Sequence, residues 1–366
     1  MENGISIYPG LDNTLEENLQ LIEMAAGYGI HRIFTSLHIP ETDTTALKRE
    51  FGLLLQAAHR HDMEIISDVS PAMLPLLGLK EFNPSALRML GITTLRLDDG
   101  FSWQEIAGLT RRYPELRIQL NASTTTSSVL QHLRDANADF SRIEALHNFY
   151  PRRGTGISEE ALVHANIRLH RFGVRVSAFV PSRDGRRRSP LGDGLPTLED
   201  HRDVSTSFAS RHLVALGCDA VFLADALPTE DEIAALAALK NDRVILKARL
   251  LTSDAAERQL LTHPFTARLD EARDAIRAQE SRPLLKQAGS AIHPDHTDKR
   301  PIGAVTIDNE KYGRYMGELQ IIRRAQPADP RTNVAAQLLP EDLQLMPYIT
   351  PGRKFSFQFL EQTDII

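Results

Sequence analysis

Residues 4–37 read GISIYPGLDNTLEENLQLIEMAAGYGIHRIFTSL, and the order of patterns within this stretch decides the fold. Two short β-rich runs, Gly4–Tyr8 and Arg32–Leu37, flank a segment, Leu15–Tyr28, whose apolar residues recur with a helical period. The polar run Asp12-Asn13-Thr14 is a helix start signal ahead of that segment. A strand, a helix and a second strand in this order predict two parallel strands joined by a helical crossover.

The same alternation repeats along about two thirds of the chain. The predicted strands are Gly4–Tyr8, Arg32–Leu37, Glu64–Ser67, Thr93–Leu97, Arg117–Leu120, Arg142–Leu146, Val174–Phe179 and Ala220–Leu223. Eight such units in about 240 residues fit a closed (β/α)8 barrel better than a doubly wound sheet. The turn Tyr8-Pro9-Gly10-Leu11-Asp12 also lacks the GxGxxG pattern of a dinucleotide-binding sheet. We therefore predict an α/β fold, with a (β/α)8 TIM barrel as the catalytic domain over residues 1–242.

After the predicted helix Glu230–Leu239 the pattern changes to short strands and turns. The predicted strands of this tail are Arg243–Leu250, Gly303–Asp308, Gly317–Arg323 and Lys354–Phe359, and six prolines fall between residues 301 and 351. Runs this closely spaced leave no room for helical crossovers. Residues 243–366 are therefore predicted to form a small β-rich domain, either a β-barrel or a β-sandwich.

The composition argues against several classes of partner. A formal net charge of −6 gives no basic surplus for a phosphate backbone, so we expect no nucleic acid partner. No run approaches the ~18 apolar residues of a membrane span, and the first residues do not resemble a signal peptide. We therefore expect no membrane association and a cytoplasmic location. The single cysteine, Cys218, excludes an intramolecular disulfide and is interpreted as a buried apolar residue. The oligomeric state stays open.

Polar residues follow nearly every predicted strand, and in a β/α barrel these positions converge on one mouth. They are Tyr8, His38, Glu41, Asp68, Asp98, Asp99, Asn121, His147, Asn148, Ser182, Arg183 and Asp225. Carboxylates on different strands of one barrel face each other at distances that suit glycoside hydrolysis. The alternative for each aspartate is a structural role, as the cap of the following helix.

Asp98 is the strongest candidate, because Arg96-Leu97-Asp98-Asp99-Gly100 places it at a strand end before a glycine turn. Together with Asp99 it forms an adjacent acid pair, and such pairs can support attack by a substrate's own acetamido group. Neighbouring residues of a strand point to opposite faces. Only one of the two therefore faces the mouth, unless the turn has already begun.

Two loops carry groups that suit an anionic sugar. Residues 181–196, after the seventh strand, contain four arginines, and barrels often bind phosphate in this region. Arg183 is the candidate there, whereas Arg186–Arg188 are interpreted as solvated surface charge. Residues 147–156, after the sixth strand, combine hydrogen-bonding groups, aromatic rings and a glycine turn. No zinc motif, nucleotide fingerprint or cofactor lysine occurs, so neither a metal nor a cofactor is expected.

Several segments of the chain resemble the motifs of a known family. In the barrel they are Gly4–Pro9, Ser36–Glu41, Asp68–Pro71, Arg96–Asp98, His147–Pro151 and Gly194–Glu199, and in the tail they are Gly303–Asn309, Tyr312, Arg314-Tyr315 and Gly317–Gln320. These segments are similar to those of the bacterial 6-phospho-N-acetylmuramidases. The resemblance covers nearly the whole chain.

The resemblance implies a barrel joined to a cyclophilin-like β domain, over residues 243–366. It also implies hydrolysis of the β-1,4 bond of a small phosphorylated amino-sugar disaccharide, N-acetylmuramic acid 6-phosphate–N-acetylglucosamine, in peptidoglycan recycling. Asp98 is then expected to be a catalytic carboxylate, with Glu41 and Asp68 as candidates for the partner role and Asp225 in reserve. The expected substrate-binding residues are Tyr8, His38, Asn121, His147, Asn148, Arg152, Arg183 and Glu318.

The chain departs from this family in the loop Arg183–Asp193, which is rich in arginine and lacks the bulky Tyr-Glu pair expected there. Hydrolysis of another 6-phosphoglycoside therefore stays open. Two further functions also stay open: another barrel enzyme on a phosphosugar, such as an isomerase, lyase or aldolase, and a non-catalytic phosphosugar-binding protein. The first is disfavoured because no lysine ends a predicted barrel strand, and the second because the ring of acids is intact.

Overall fold

The computed structural model describes residues 2–36, 39, 41–68, 82–97 and 100–360. The chain divides into two compact units, Met1–Leu239 and Lys240–Ile366. The first unit contains a closed barrel of eight strands, and the second contains one curled sheet of seven strands.

The barrel strands follow the predicted runs to within a residue or two. They are β1 (Gly4–Ser6), β2 (Arg32–Thr35), β3 (Glu64–Asp68), β4 (Ile92–Arg96), β5 (Arg117–Asn121), β6 (Ile143–Leu146), β7 (Arg175–Val180) and β8 (Ala220–Leu223). Each strand pairs in parallel with the next, and β1 pairs in parallel with β8, which closes the ring. The prediction of a (β/α)8 barrel is confirmed.

The helices that follow the strands begin at side-chain caps. They are α1 (Leu15–Gly27), α2 (Thr44–Arg60), α3 (Pro84–Met89), α4 (Trp103–Arg112), α5 (Ser127–Asp135), α6 (Glu159–His170), α7 (Thr206–Ala215) and α8 (Glu230–Ala237). At α1, Thr14 and Glu17 each accept a hydrogen bond from the other's backbone N–H, and Thr229 and Glu232 do the same at α8. Each cap is the last residue of the segment that runs from a strand to its helix, so it fixes one end of that loop. None of the described helices is both long and apolar enough to cross a bilayer.

A buried cluster inside the barrel joins residues of the strands to residues just beyond them, and four of its nine members are aromatic. Its buried members are Tyr8, Phe34, Ile66, Leu146, Phe179, Leu195, Ala220, Phe222 and Ala224. The rings of Phe34 and Phe179 meet edge to face with centroids 5.1 Å apart, and Phe149 packs edge to face on Phe179 at 5.0 Å. Burying one such ring contributes about 1.5–3 kcal/mol. This core supports the polar groups of the mouth.

The second unit is built on a sheet with the strand order β10-β15-β9-β14-β12-β13-β11. The strands are β9 (Val244–Leu250), β10 (Phe265–Thr266), β11 (Ala275–Arg277), β12 (Ala304–Asp308), β13 (Leu319–Ile322), β14 (Thr332–Leu338) and β15 (Lys354–Phe359). Most neighbours are antiparallel, but β15 pairs in parallel with β9.

The prediction of short strands and turns for this tail did not include its two helices. The unit contains α9 (Ala255–Leu261) and α10 (Ser281–Ala288), and α10 ends at Gly289 with a left-handed φ of 65°. A proline in the first turn and a glycine after the last are the usual boundaries of such a helix. One central strand, β14, was also missing from the prediction.

Candidate active site

Asp68 and Arg96 end neighbouring barrel strands and lie side by side at the mouth. The two residues are register partners on β3 and β4, so their side chains share one face of the sheet. Nε of Arg96 lies 3.1 Å from Oδ1 of Asp68. The Arg96 side chain is only 4% exposed and that of Asp68 is 19% exposed. A buried cation therefore holds a carboxylate that remains partly accessible.

Arg96 also reaches to β6 and the residues beyond it. Its Nη1 donates to the carbonyl of Leu146 at 3.1 Å, and its Nη2 donates to Oδ1 of Asn148 at 2.5 Å. The guanidinium carbon lies 5.9 Å from the centroid of the Phe34 ring. One arginine thus fixes both the Asp68 carboxylate and the Asn148 amide.

His147 is fully buried and positions its neighbour Asn148. Its Nε2 lies 3.0 Å from Oδ1 of Asn166 on α6, and its Nδ1 lies 3.1 Å from Oγ of Ser123. Burial lowers the pKa of His147 to about 4, so the ring is neutral. Because Oδ1 of Asn166 can only accept, the ring proton belongs on Nε2, and Nδ1 accepts from Ser123. Oγ of Ser123 in turn accepts from the backbone N–H of Asn148 at 3.1 Å.

Asn121, at the end of β5, shapes the turn that carries Ser123. Its Oδ1 accepts from the Ser123 N–H at 3.0 Å, and its carbonyl accepts from the Thr125 hydroxyl at 2.7 Å. The side chain is buried. In the structure, Asn121 and His147 therefore form a connected support below Asn148.

Tyr8, Phe149 and Arg188, which follow β1, β6 and β7, also meet at the mouth. The Tyr8 hydroxyl donates to the carbonyl of Ala224 at 2.7 Å, and burial raises the pKa of this hydroxyl. The guanidinium carbon of Arg188 lies 5.0 Å from the Tyr8 ring centroid and 4.9 Å from that of Phe149. Arg188 had been interpreted as surface charge, but it is only 8% exposed. The interpretation of Arg188 as solvated surface charge is therefore wrong.

Asp225 follows β8 and holds the loop after β7. It is completely buried, and its two carboxylate oxygens accept from the backbone N–H groups of Ser182 at 2.9 Å and Arg188 at 3.0 Å. Burial raises the pKa of Asp225 to about 6, although the two backbone hydrogen bonds oppose this shift. Both oxygens are occupied, so Asp225 serves as a loop anchor.

A second anchor joins the loops after β6 and β7. The guanidinium of Arg202, which is fully buried, donates to both oxygens of Glu199 at 2.8 and 2.7 Å and to the carbonyls of Tyr150 and Gly194. Glu199 also accepts from the backbone N–H groups of Gly154 and Gly156. The hydrogen bonds from Arg202 lower the pKa of Glu199 to about 2. Arg152 lies in the same loop with its side chain exposed.

The other expected site residues are distributed as follows. Asp98 and His38 lie outside the described residues. Glu41 is exposed in the turn before α2, and no hydrogen bond or ion pair joins it to any described residue. The exposed side chain of Arg183 lies 3.8 Å from Asp203. In the second unit, Glu318 is buried and accepts from Nε of Arg277 at 2.6 Å.

Sequence reasoning assigned no role to Arg96, Glu199 or Arg202. Arg96 could have been noticed, because a charged residue within the apolar run Thr93–Leu97 requires a buried partner. Glu199 and Arg202 are three residues apart, which is a weak signal for an ion pair. Within the described parts of the chain, no group of three or more His, Cys, Asp or Glu residues is placed to hold a metal ion.

The fold and site define a β/α-barrel protein that presents a guanidinium-held carboxylate at the strand ends, where such barrels carry their reactive groups. Comparison with known proteins gives the family. Residues 3–238 match the N-terminal domain of the 6-phospho-N-acetylmuramidases, and residues 244–358 match their C-terminal domain. The chain belongs to the 6-phospho-N-acetylmuramidase family. That name describes a glycosidase-type enzyme.

Two solved structures are similar to nearly the whole chain. An uncharacterized protein from B. cereus is 30% identical, with 98% of this chain and 100% of that one covered and a TM-score of 0.81. A conserved protein of unknown function from Enterococcus faecalis is 34% identical, with coverages of 99% and 97% and a TM-score of 0.67. No curated protein matches the chain.

Proposed function

We propose that this chain is a cytoplasmic glycoside hydrolase that cleaves the β-1,4 bond of N-acetylmuramic acid 6-phosphate–N-acetylglucosamine during peptidoglycan recycling. The observation that carries the proposal is the Asp68–Arg96 pair at the mouth of a barrel that matches this family. A strand-end carboxylate held in place is what glycosidic bond cleavage on a β/α barrel requires.

Hydrolysis of a glycoside needs a proton donor for the leaving oxygen and an anionic group for the sugar cation. Asp68 suits the anionic role, either as nucleophile or as electrostatic stabiliser, because a guanidinium lies 3.1 Å away. Glu41 is exposed and has no comparable partner among the described residues, so Asp68 is preferred for this role. Asp98 is assigned the other carboxylate role from its sequence position, two residues after Arg96.

The remaining expected residues divide by their surroundings. Asn148, Arg152 and Arg183 are proposed to contact the substrate, because they lie on the loops that follow β6 and β7. His147 and Asn121 are proposed to act through Asn148, since each is buried and hydrogen-bonded to the turn that supports it. His38 and Tyr8 keep their proposed substrate contacts from their strand-end positions.

The second unit is proposed to be a cyclophilin-like domain that contributes to substrate recognition. Glu318 is its candidate residue, because it carries a charge, is buried and is held by Arg277. This assignment is tested by Glu318→Gln, which keeps the size of the side chain and removes its charge. We expect this substitution to raise KM more than it lowers kcat.

The proposal is tested by incubating the purified full chain with the phosphorylated disaccharide and with its unphosphorylated twin, and following the released sugars by mass spectrometry. Asp98→Asn and Asp68→Asn are the test variants, and the exposed Asp135→Asn on α5 is the matched control. We expect cleavage of the phosphorylated compound by the wild type and by the control only. If the folded wild type cleaves neither compound, the proposed hydrolysis is wrong.

A further inference from the structure

The four arginines of the loop after β7 have different partners. Arg183 faces Asp203, Arg186 binds the Glu17 carboxylate at 2.7 and 2.9 Å, and Arg187 donates to the carbonyls of Ser182 and Arg202. The guanidinium groups of Arg186 and Arg187 are therefore occupied within the protein, whereas that of Arg183 is about half exposed.

Arg188 is the exception. Its guanidinium donates no hydrogen bond and forms no ion pair with any residue that the structure describes, and its Nε is buried without a partner. The side chain is only 8% exposed. An unpaired buried charge costs several kcal/mol, which is about the penalty measured when one partner of a buried pair is removed. A protein keeps such a group where a ligand supplies the missing partner.

The two aromatic rings beside Arg188 do not satisfy its hydrogen-bonding edge. Tyr8 and Phe149 lie about equally far from the guanidinium carbon, at 5.0 and 4.9 Å. Rings attract a guanidinium through its face and do not use the N–H groups, which point outward in its plane. That edge matches the paired oxygens of a phosphate or a carboxylate.

The backbone around Arg188 is fixed before any ligand arrives. Its own N–H donates to Asp225 at 3.0 Å, and the N–H of Ser189 donates to both oxygens of Asp12 at 3.2 and 3.0 Å. The carboxylates of Asp12 and Asp225, which lie near the two ends of the barrel sequence, thus hold the backbone N–H groups of two consecutive residues. Little conformational freedom is lost when an anion binds to a side chain mounted in this way.

Arg96 and Arg188 are both buried, but only Arg96 has a carboxylate partner among the described residues. Arg96 is neutralised by Asp68, whereas no described carboxylate contacts the Arg188 guanidinium. We propose that Arg188 is the anion-binding residue of the mouth and that it receives the phosphomonoester group of the substrate. This inference rests on the proposed function for the identity of the sugar, but not for the presence of an anion site.

A phosphate is favoured over the carboxylate of a lactyl ether by charge. A phosphomonoester near neutral pH carries between one and two negative charges and three acceptor oxygens, so it gains more than a carboxylate from an unpaired guanidinium. The position agrees with this assignment, because the loops after the seventh and eighth strands are where β/α barrels most often bind phosphate.

The test measures binding by the full chain and does not depend on turnover. Isothermal titration calorimetry is carried out with inorganic phosphate, N-acetylmuramic acid 6-phosphate, N-acetylglucosamine 6-phosphate and unphosphorylated N-acetylmuramic acid. The variants are Arg188→Met and Arg188→Lys. Arg171→Met is the matched control, because Arg171 is exposed at the end of α6, on the side of the barrel away from the mouth.

We expect Arg188→Met to weaken both phosphosugars by about 10- to 100-fold, the usual effect of losing hydrogen bonds to a charged group. Arg188→Lys should fall between this variant and the wild type, because it keeps the charge and loses the paired donors. The control should bind as the wild type does. Unphosphorylated N-acetylmuramic acid should bind weakly to all four proteins.

Three results would overturn the inference. In the first, Arg188→Met keeps the wild-type preference for phosphorylated ligands, and in the second, the folded wild type binds none of the phosphorylated ligands. In the third, Arg188→Met weakens only the binding of N-acetylmuramic acid, which would show that Arg188 binds the lactyl carboxylate. Circular dichroism and thermal unfolding establish that each variant is folded, and Arg188→Lys carries the test if Arg188→Met is not. Phosphate binding that depends on Arg188 without any hydrolysis would support this site and contradict the proposed function.

Discussion

The Arg96 guanidinium lies 3.1 Å from Asp68 and 2.5 Å from the side-chain oxygen of Asn148. These two neighbours of Arg96 come from different parts of the barrel, the end of β3 and the loop after β6. One buried cation therefore sets the distance between a carboxylate and an amide that both face the mouth. Its removal should disturb both groups together.

The first prediction separates the two candidates for the partner carboxylate. Asp68→Asn keeps the shape of the side chain and removes the charge beside Arg96, so we expect kcat/KM to fall by about 100-fold or more. Glu41→Gln should change kcat/KM by less than about 3-fold, because Glu41 is exposed, and exposed charges contribute little. Steady-state kinetics on the phosphorylated disaccharide measures both. A larger loss for Glu41→Gln would transfer the partner role to that residue.

The second prediction concerns the anchor between the loops after β6 and β7. Arg202→Met removes a fully buried guanidinium and leaves the carboxylate of Glu199, which is 29% exposed, without its ion-pair partner, so we expect the free energy of unfolding to fall by about 2–4 kcal/mol. Urea denaturation measures this change. The matched control is Arg153→Met, whose ion pair with Asp203 is about half exposed on both sides, and which should cost less than about 1 kcal/mol. Equal losses of unfolding free energy in the two variants would show that the Arg202–Glu199 pair stabilises the protein no more than an exposed ion pair does.

The third prediction uses Tyr8, whose hydroxyl and ring have separate roles. Tyr8→Phe removes the hydrogen bond to Ala224 but keeps the ring beside Arg188, so stability should fall by about 1 kcal/mol with phosphate binding retained. Tyr8→Leu also removes the ring and should weaken phosphate binding by roughly 3- to 10-fold. Thermal unfolding and calorimetry are the measurements. If Tyr8→Phe alone abolished binding, the hydroxyl and not the ring would be the essential group.

The fourth prediction follows from the buried histidine behind Asn148. Burial lowers the pKa of His147 from 6.5 to about 4, so the unfolded chain takes up a proton before the folded one does. The contribution of this difference in pKa to the free energy of unfolding is complete above pH 6.5 and is lost as the pH falls toward about 4. Over this range the free energy of unfolding changes by at most about 1.4 kcal/mol per pH unit. His147→Gln should flatten the pH dependence of the unfolding free energy between these limits. Parallel curves for variant and wild type would show that His147 is not buried in its neutral form.

The barrel could be predicted from the sequence because its strands are buried on both faces. The run Ala220–Leu223 is entirely apolar, and the β-rich runs alternate with well-capped helices, which leaves few other topologies. β14 escaped prediction because Thr332–Leu338 contains Asn, Gln and two Ala, which are poor strand formers. It forms a strand because β12 and β9 pair with it on both sides, and such pairing is tertiary information.

The sequence could predict which residues lie at the strand ends, but not which side chains contact each other there. Asp68 and Asn148 were expected at the mouth because they follow strands, and the structure places both beside Arg96. The surroundings of the Arg186 and Arg188 side chains could not be deduced from the sequence. These arginines belong to one basic run, yet Arg186 reaches Glu17 on α1 while Arg188 turns inward between two rings. That difference depends on contacts between residues far apart in the chain.

The most direct test of the central claim is to follow the fate of the water oxygen. The full chain is incubated with N-acetylmuramic acid 6-phosphate–N-acetylglucosamine in heavy-oxygen-labelled water and quenched before free sugars exchange their anomeric oxygen, and the products are weighed by mass spectrometry. Hydrolysis at the β-1,4 bond predicts that the label enters the released N-acetylmuramic acid 6-phosphate. The lactyl ether, the phosphate and the acetamido groups of the two products should be unchanged. Release of lactate, a product lacking the elements of water, or no bond cleavage at all would contradict it.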